Sequence, residues 1–427
     1  MSPSLGIQET VLENGLKVLA IPRHAVPVVS VWAWYRVGSR HERPGLTGAS
    51  HWVEHMLFKG GKEFAKGQIF KQVARHGGVN NGFTWVDFTA YYETLPASAL
   101  DLALRIEADR MANAVFDPQE VQAERTVVLS EREGAENHPN YLLSEEVQAT
   151  AFREHPYRWS VIGWKEDLRT ITRDDLYAHY RTYYAPNNAT LLVAGDFEPD
   201  RLLDRVRQLF GPVAAAELPP SQARPEPPPR AERRVVLRRS GGAAIVHVAC
   251  PAPAASDPDY YPLLLAATVL NGASGMFAGG VGGRTSRFER ALVRSELASR
   301  AWAVCHLSVD PYLFQAEATV REGVEPERVE AALLGELDRL HTEPPDEEEM
   351  HKARTQLRAA FAYNWDRVTG VGAIVGAADA VDSWHAAEDY LDRVDAVTAA
   401  EVARVAADRF APHRRTVGRF MPTEAQP

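Results

Sequence analysis

Sulfur is scarce in this 427-residue chain: there are two cysteines, Cys250 and Cys305. Two thiols cannot build a disulfide framework or a four-cysteine zinc site. They read as small apolar core residues in a reducing compartment. A basic excess is also missing. The 47 Lys and Arg face 57 Asp and Glu, for a formal charge of −10, which excludes the basic footprint of a nucleic-acid binder. Long apolar runs are absent too. The longest, residues 263–270, is too short to cross a bilayer. The opening MSPSLGIQETVLENG has no basic segment leading into an apolar core. The chain is therefore expected to be soluble and cytoplasmic, with no nucleic-acid or membrane partner. Its 45% hydrophobic and 24% charged residues are ordinary for a packed protein, and its length suggests two to three domains.

Proline marks the main boundary. Residues 217–232, ELPPSQARPEPPPRAE, favour an extended polyproline stretch. This predicts domains at 1–216 and 233–427 joined by a linker at 217–232. The two halves end alike. Thr172 precedes Ala185 and Pro186, then Thr190, Gly195 and Phe197; Thr398 precedes Ala411 and Pro412, then Thr416, Gly418 and Phe420. The Thr-to-Pro step is 14 residues in both, which points to an internal duplication. Residues 16–22, 28–37, 84–93, 233–239 and 243–250 are β-branched and aromatic and read as strands. Helical patterns fall at 46–58, 66–76, 98–113, 118–136, 174–184, 199–210, 325–341 and 346–365. Together they predict an α+β fold with two homologous domains, each a largely antiparallel sheet packed with helices.

The most informative stretch is His51-Trp52-Val53-Glu54-His55. On a helix His51 and His55 stand at i and i+4, so both imidazoles project from one face. Two imidazoles so placed can share a Zn²⁺ at about 2.0–2.1 Å each. Glu54 flanks the same face and could take a proton from water without being a ligand; the order is that of the inverted zinc-protease motif. A catalytic zinc normally takes a third protein ligand. The best source is the helix opening at Asp117 and Pro118, where Glu124 and Glu131 lie two turns apart on one face. Val127, Val128 and Leu129 are expected to anchor that helix in the core.

With these residues the sequence resembles the pitrilysin (insulinase) family of zinc peptidases, and most its short bacterial, mitochondrial-processing-peptidase-like branch. Glu131 follows His55 by 76 residues and matches the family's ligand position. Glu124 matches a glutamate that supports catalysis from behind the ligands. Residues 77–91, GGVNNGFTWVDFTAY, resemble the family's GGxxNAxTxxDxTxY segment, with Gly82 where Ala is usual. His155-Pro156-Tyr157 and Val161-Ile162-Gly163 resemble its HPYGxPVIG run, with Arg158 in place of Gly.

The resemblance implies one Zn²⁺ per chain held by His51, His55 and Glu131, with Glu54 as base. It implies that Asn81, Gly82 and Phe83 bind an extended peptide, and that the fold is half of a clam-shell chamber. Self-sufficient members carry an Arg and a Tyr with six residues between them, after a Ser-Arg-Leu step. Here Ser286-Arg287-Phe288 marks the place, but Val293 and Arg300 occupy the two positions, and a one-residue slide gives Arg294 and Ala301. A homologous subunit carrying that pair, in a heterodimer, is therefore expected; a self-sufficient homodimer or a noncatalytic structural subunit are the alternatives. The glycine-rich residues 271–283 lack a Walker lysine. They resemble a loop of the processing peptidase's noncatalytic subunit, which implies a loop over the chamber.

Overall fold

The computed structural model describes residues 5–221, 223–273 and 283–423. Most of the glycine-rich stretch, 274–282, lies outside them. Two sheets carry the fold. The first contains β1 (Gln8–Val11), β2 (Lys17–Pro22), β3 (Val28–Tyr35), β4 (Val79–Thr84), β5 (Thr89–Pro96) and β6 (Ala189–Gly195), in the order β1-β2-β6-β3-β5-β4. The second contains β7 (Arg233–Ser240), β8 (Ile245–Pro251), β9 (Ala298–Cys305), β10 (Leu313–Val320) and β11 (Thr416–Thr423), in the order β7-β11-β8-β10-β9.

The two orders are the same once β1 is set aside, and so is the register. Lys17, Thr190, Trp34, Ala90 and Phe83 lie in one row across the first sheet. Arg233, Thr416, Ala249, Gln315 and Val304 lie in the matching row of the second. Among the described residues, the only parallel pair in each sheet joins the first and last of these five strands in the chain. The helix entering β6 begins at a capping box between Thr172 and Asp175. The helix entering β11 begins at one between Thr398 and Glu401. The register also corrects one pairing read from the sequence: with Thr190 matched to Thr416, Gly418 falls opposite Leu192 rather than Gly195.

The halves exchange helices. The first-half helix Pro139–Ala151 packs on the second sheet, placing Leu143 and Val147 against Ile245, Ala249 and Phe420. The second-half helix Val368–Val381 packs on β3 and β6. Its Gly372 and Gly376 approach so closely that an added Cβ would lie 2.1 Å from Trp32 Nε1 and 2.0 Å from Trp34 Nε1. Asp379 of the same helix, its side chain fully buried, accepts from Lys17 Nζ (2.8 Å), Arg36 (2.6 Å) and Thr190 Oγ1 (2.7 Å). Gly376→Ala is accordingly expected to destabilise the chain by about 1–3 kcal/mol through overpacking. A urea midpoint equal to the parent's would show that Trp34 has room to move.

Three sequence expectations need correction. Residues 84–93 are not one strand: the chain turns at 85–88, with Trp85 N–H donating to Phe88 O at 2.8 Å. Asp87 in that turn accepts from Tyr157 Oη (2.6 Å) and Val309 N–H (2.9 Å), so distant partners impose the bend. Val127 is exposed and only Val128 of its neighbours is fully buried. The helices Pro139–Ala151, Tyr260–Asn271 and Val368–Val381 were not expected. Among the described residues no helix is long and apolar enough to cross a membrane.

Candidate metal centre

The helix carrying the two histidines, Ala49–Met56, is short and rigidly seated. Gly48 precedes it at φ +89°, and an added Cβ there would lie 2.3 Å from Ile162 O. Only glycine meets both demands. The buried Glu42 carboxylate accepts from Gly48 N–H and Ser50 N–H at 2.7 Å each, satisfying donors at the helix start. Trp52, fully buried, packs under the Arg125 guanidinium of helix Pro118–Glu136, which ties the two helices together.

This seating brings His51, His55 and Glu131 together. His51 Nε2 and His55 Nε2 are 3.2 Å apart, and Glu131 Oε2 lies 3.7 and 3.5 Å from them. Metal bonds of about 2.0–2.1 Å in tetrahedral geometry separate ligand atoms by roughly 3.3 Å, so the three atoms fit one Zn²⁺. Among the described residues this is the one group of His, Cys, Asp or Glu side chains close enough to hold a metal ion. The opposed Nε2 atoms cannot both be donors to each other, whereas two lone pairs aimed at a cation are satisfied.

Glu124 and Glu131, which spacing alone could not tell apart, have different places. The buried Glu124 accepts from His55 Nδ1 at 2.9 Å. That fixes the tautomer whose Nε2 is free to bind a metal. Burial works against the Glu124 carboxylate, but its bonds to His55 and Lys59 outweigh it and lower its pKa. Burial likewise opposes the imidazolium of His55, yet the Glu124 hydrogen bond and the charges of Glu131 and Glu54 raise its pKa. His51 is pushed down to about 3 by burial and by neighbouring His55, so its imidazole is neutral. Glu54 lies buried beside them. Burial pushes its carboxyl up, and the 2.7 Å hydrogen bond donated by Thr84 Oγ1 to its Oε2 partly offsets this.

Thr84 ends β4, the outermost strand of the first sheet, which among the described residues pairs with β5 alone. Asn81, Gly82 and Phe83 lie on this edge. Phe83 turns its ring into the core beside Trp32 and Trp34. At Gly82 an added Cβ would sit 2.9 Å from Tyr91 and 3.1 Å from Phe58, which accounts for glycine where alanine is usual.

Sequence reasoning passed over Thr84 as the partner of Glu54, although it falls in the GGVNNGFT stretch. It also passed over Lys59, which stands four residues after His55 and pairs with Glu124. In the second half the counterparts are erased. The helix after β8, Tyr260–Asn271, is buried throughout and has no ligand pair. Helix Glu347–Trp365 matches Pro118–Glu136 in length and in its Asp N-cap; counted from that cap, Ala353 and Ala360 stand for Glu124 and Glu131. Val293 and Arg300 line a cavity of about 440 Å³, and Arg287 is held by Glu349 at 2.7 Å.

Known proteins resemble this chain along most of its length. Residues 17–164 match the family described as insulinase (peptidase family M16), and residues 170–357 match the peptidase M16 inactive domain. Zinc protease PqqE of Helicobacter pylori is 28% identical over 377 residues, spanning 86% of this chain and 82% of that protein. "Probable mitochondrial-processing peptidase subunit beta, mitochondrial" of Arabidopsis thaliana is 25% identical over 400 residues, 93% of this chain and 75% of that one. The crystal structure of a protease from Helicobacter pylori superposes with a TM-score of 0.92 at 26% identity, covering 99% of this chain and 100% of the other. With adjoining segments matched to two domains of one peptidase family and a near full-length structural likeness, the chain belongs to the pitrilysin, or insulinase (M16), family of peptidases.

Proposed function

We propose that this chain is a zinc-dependent endopeptidase that cleaves extended or unfolded peptides. The observation that carries the reading is the convergence of His51 Nε2, His55 Nε2 and Glu131 Oε2 at zinc-ligand separations. One Zn²⁺ per chain, held by these three, would supply a lowered water pKa and a polarised scissile carbonyl. Glu54 accepts the proton of the attacking water and returns it to the leaving amine. Burial makes the Glu54 carboxylate a stronger base, and the hydrogen bond from Thr84 holds it in place. The free edge of β4 at Asn81, Gly82 and Phe83 takes the substrate as an added strand, and Thr84 ties the base to that same strand. Glu124 keeps the His55 ring in place.

In this reading residues 1–216 are the zinc-binding catalytic domain, 217–232 the linker, and 233–427 a homologous domain without the metal motif. They form half of a chamber that a homologous subunit closes, supplying an Arg and a Tyr where Val293 and Arg300 stand. The "subunit beta" in the name of the Arabidopsis relative supports an assembly of this kind. A homodimer is the second reading, favoured by the exposed Arg300 beside the cavity. The buried free thiols of Cys250 and Cys305 suit the cytoplasm.

Metal analysis of the purified chain should give about one zinc, and digestion of a peptide library should stop with a chelator and resume on adding zinc. The chain is assayed alone and with a homologous subunit from the same source. A metal-free chain whose peptide cleavage ignores chelators would overturn the reading.

A further inference from the structure

We propose that Lys59 is a positioning residue for the metal: by gripping Glu124 from its second oxygen, it fixes the His55 ring with its proton on Nδ1. The inference rests on the zinc reading above and extends it to a residue outside the ligand motif. Lys59 stands four residues after His55, in the turn that follows helix Ala49–Met56. Its Nζ pairs with Glu124 Oε2 while His55 Nδ1 holds Oε1. Glu124 is only 4% exposed. A carboxylate that buried needs both partners, because losing one leaves an under-compensated charge.

The backbone gives Lys59 little freedom. Its N–H donates to Met56 O at 2.9 Å. Two residues on, Gly61 lies against Asp109, where an added Cβ would come within 2.3 Å of Oδ2. Asp109 also accepts from the N–H groups of Lys62, Glu63 and Phe64 at 3.0–3.2 Å. The ammonium is thus delivered to Glu124 by a pinned turn. Lys66 offers the contrast. It pairs with Glu120 one turn earlier on the same helix, but its side chain is 60% exposed and it touches no histidine-bound carboxylate. Exposed pairs of that kind contribute little.

The test is a zinc competition titration on the full chain. Lys59→Met should weaken zinc binding about 10-fold or more, as loss of a group behind a ligand does. Lys59→Arg should recover part of it, and Lys66→Met should bind as the parent does. In the double variant with Glu124→Gln, Lys59→Met should add nothing, because both act through one carboxylate. Lys59→Met within twofold of the parent, or a fully additive double variant, overturns the inference. A metal-free readout stands beside it: nitrogen-15 NMR of histidine-labelled protein at alkaline pH. His55 should carry its proton on Nδ1 in the parent and show mixed tautomers in Lys59→Met. An unchanged tautomer overturns the role of Lys59 whether or not zinc binds. A parent that binds no zinc overturns the site reading separately.

Discussion

Replacing Glu54 by Gln should lower peptide hydrolysis by roughly 10²–10⁴-fold, the range for loss of a positioned general base, and should leave zinc content unchanged. The amide has the shape of the carboxylate and can still accept from Thr84 Oγ1, so the helix Ala49–Met56 keeps its seat. His51, His55 and Glu131 are untouched. What is lost is the capacity to take a proton. Burial raises the Glu54 pKa in the metal-free chain and a zinc charge beside it would act the other way, so the parent's acid limb should mark the value at which Glu54 is protonated in the loaded site. Activity falls as pH drops through that value, since the protonated acid cannot act as base. Zinc analysis beside rates at saturating substrate checks both halves of the expectation. Parent-like rates in Glu54→Gln would remove Glu54 from the chemistry.

The site was legible in the sequence to the extent that it is local. His51, Glu54 and His55 lie within two helical turns, and helical geometry alone puts the imidazoles on one face. Glu124 and Glu131 were legible as a pair for the same reason. Their division of labour was not, because it depends on how helix Pro118–Glu136 crosses the histidine helix. Crossing is set by tertiary packing, here Trp52 under Arg125. The family resemblance supplied the assignment that spacing could not.

The misread elements share one cause. The turn at 85–88 has no Gly, Pro or Asn to announce it, and Asp87 is bent into place by Tyr157 and Val309, distant in the chain. Helix Val368–Val381 contains Gly370, Gly372 and Gly376 in an apolar run, a composition that weighs against a helix on propensity. Gly372 and Gly376 serve the close approach to Trp32 and Trp34 across the domain boundary. Helices buried against a second domain lack the polar face that periodicity needs. Duplication was readable at the capping boxes because these are local; Gly195 and Gly418 were mispaired because strand register is not.

Replacing His55 by Ala is expected to abolish both zinc binding and hydrolysis, the larger loss of the two. His55 joins three residues of the site: Nε2 faces His51 and Glu131, and Nδ1 holds Glu124. Without it two ligands remain, below the three a catalytic zinc normally takes, and Glu124 retains Lys59 alone. The fold should survive. Alanine is the best helix former, Trp52 still anchors the helix, and the side chain removed is partly exposed at the site. With Lys59 as its one remaining partner the buried Glu124 is under-compensated, so the metal-free melting temperature should fall by several degrees, as for a change of about 1–3 kcal/mol. Comparing metal-free parent and variant separates loss of metal from loss of fold. Zinc bound at parental stoichiometry by His55→Ala would place the metal elsewhere and leave Glu54 beside a pair of histidines without a catalytic purpose.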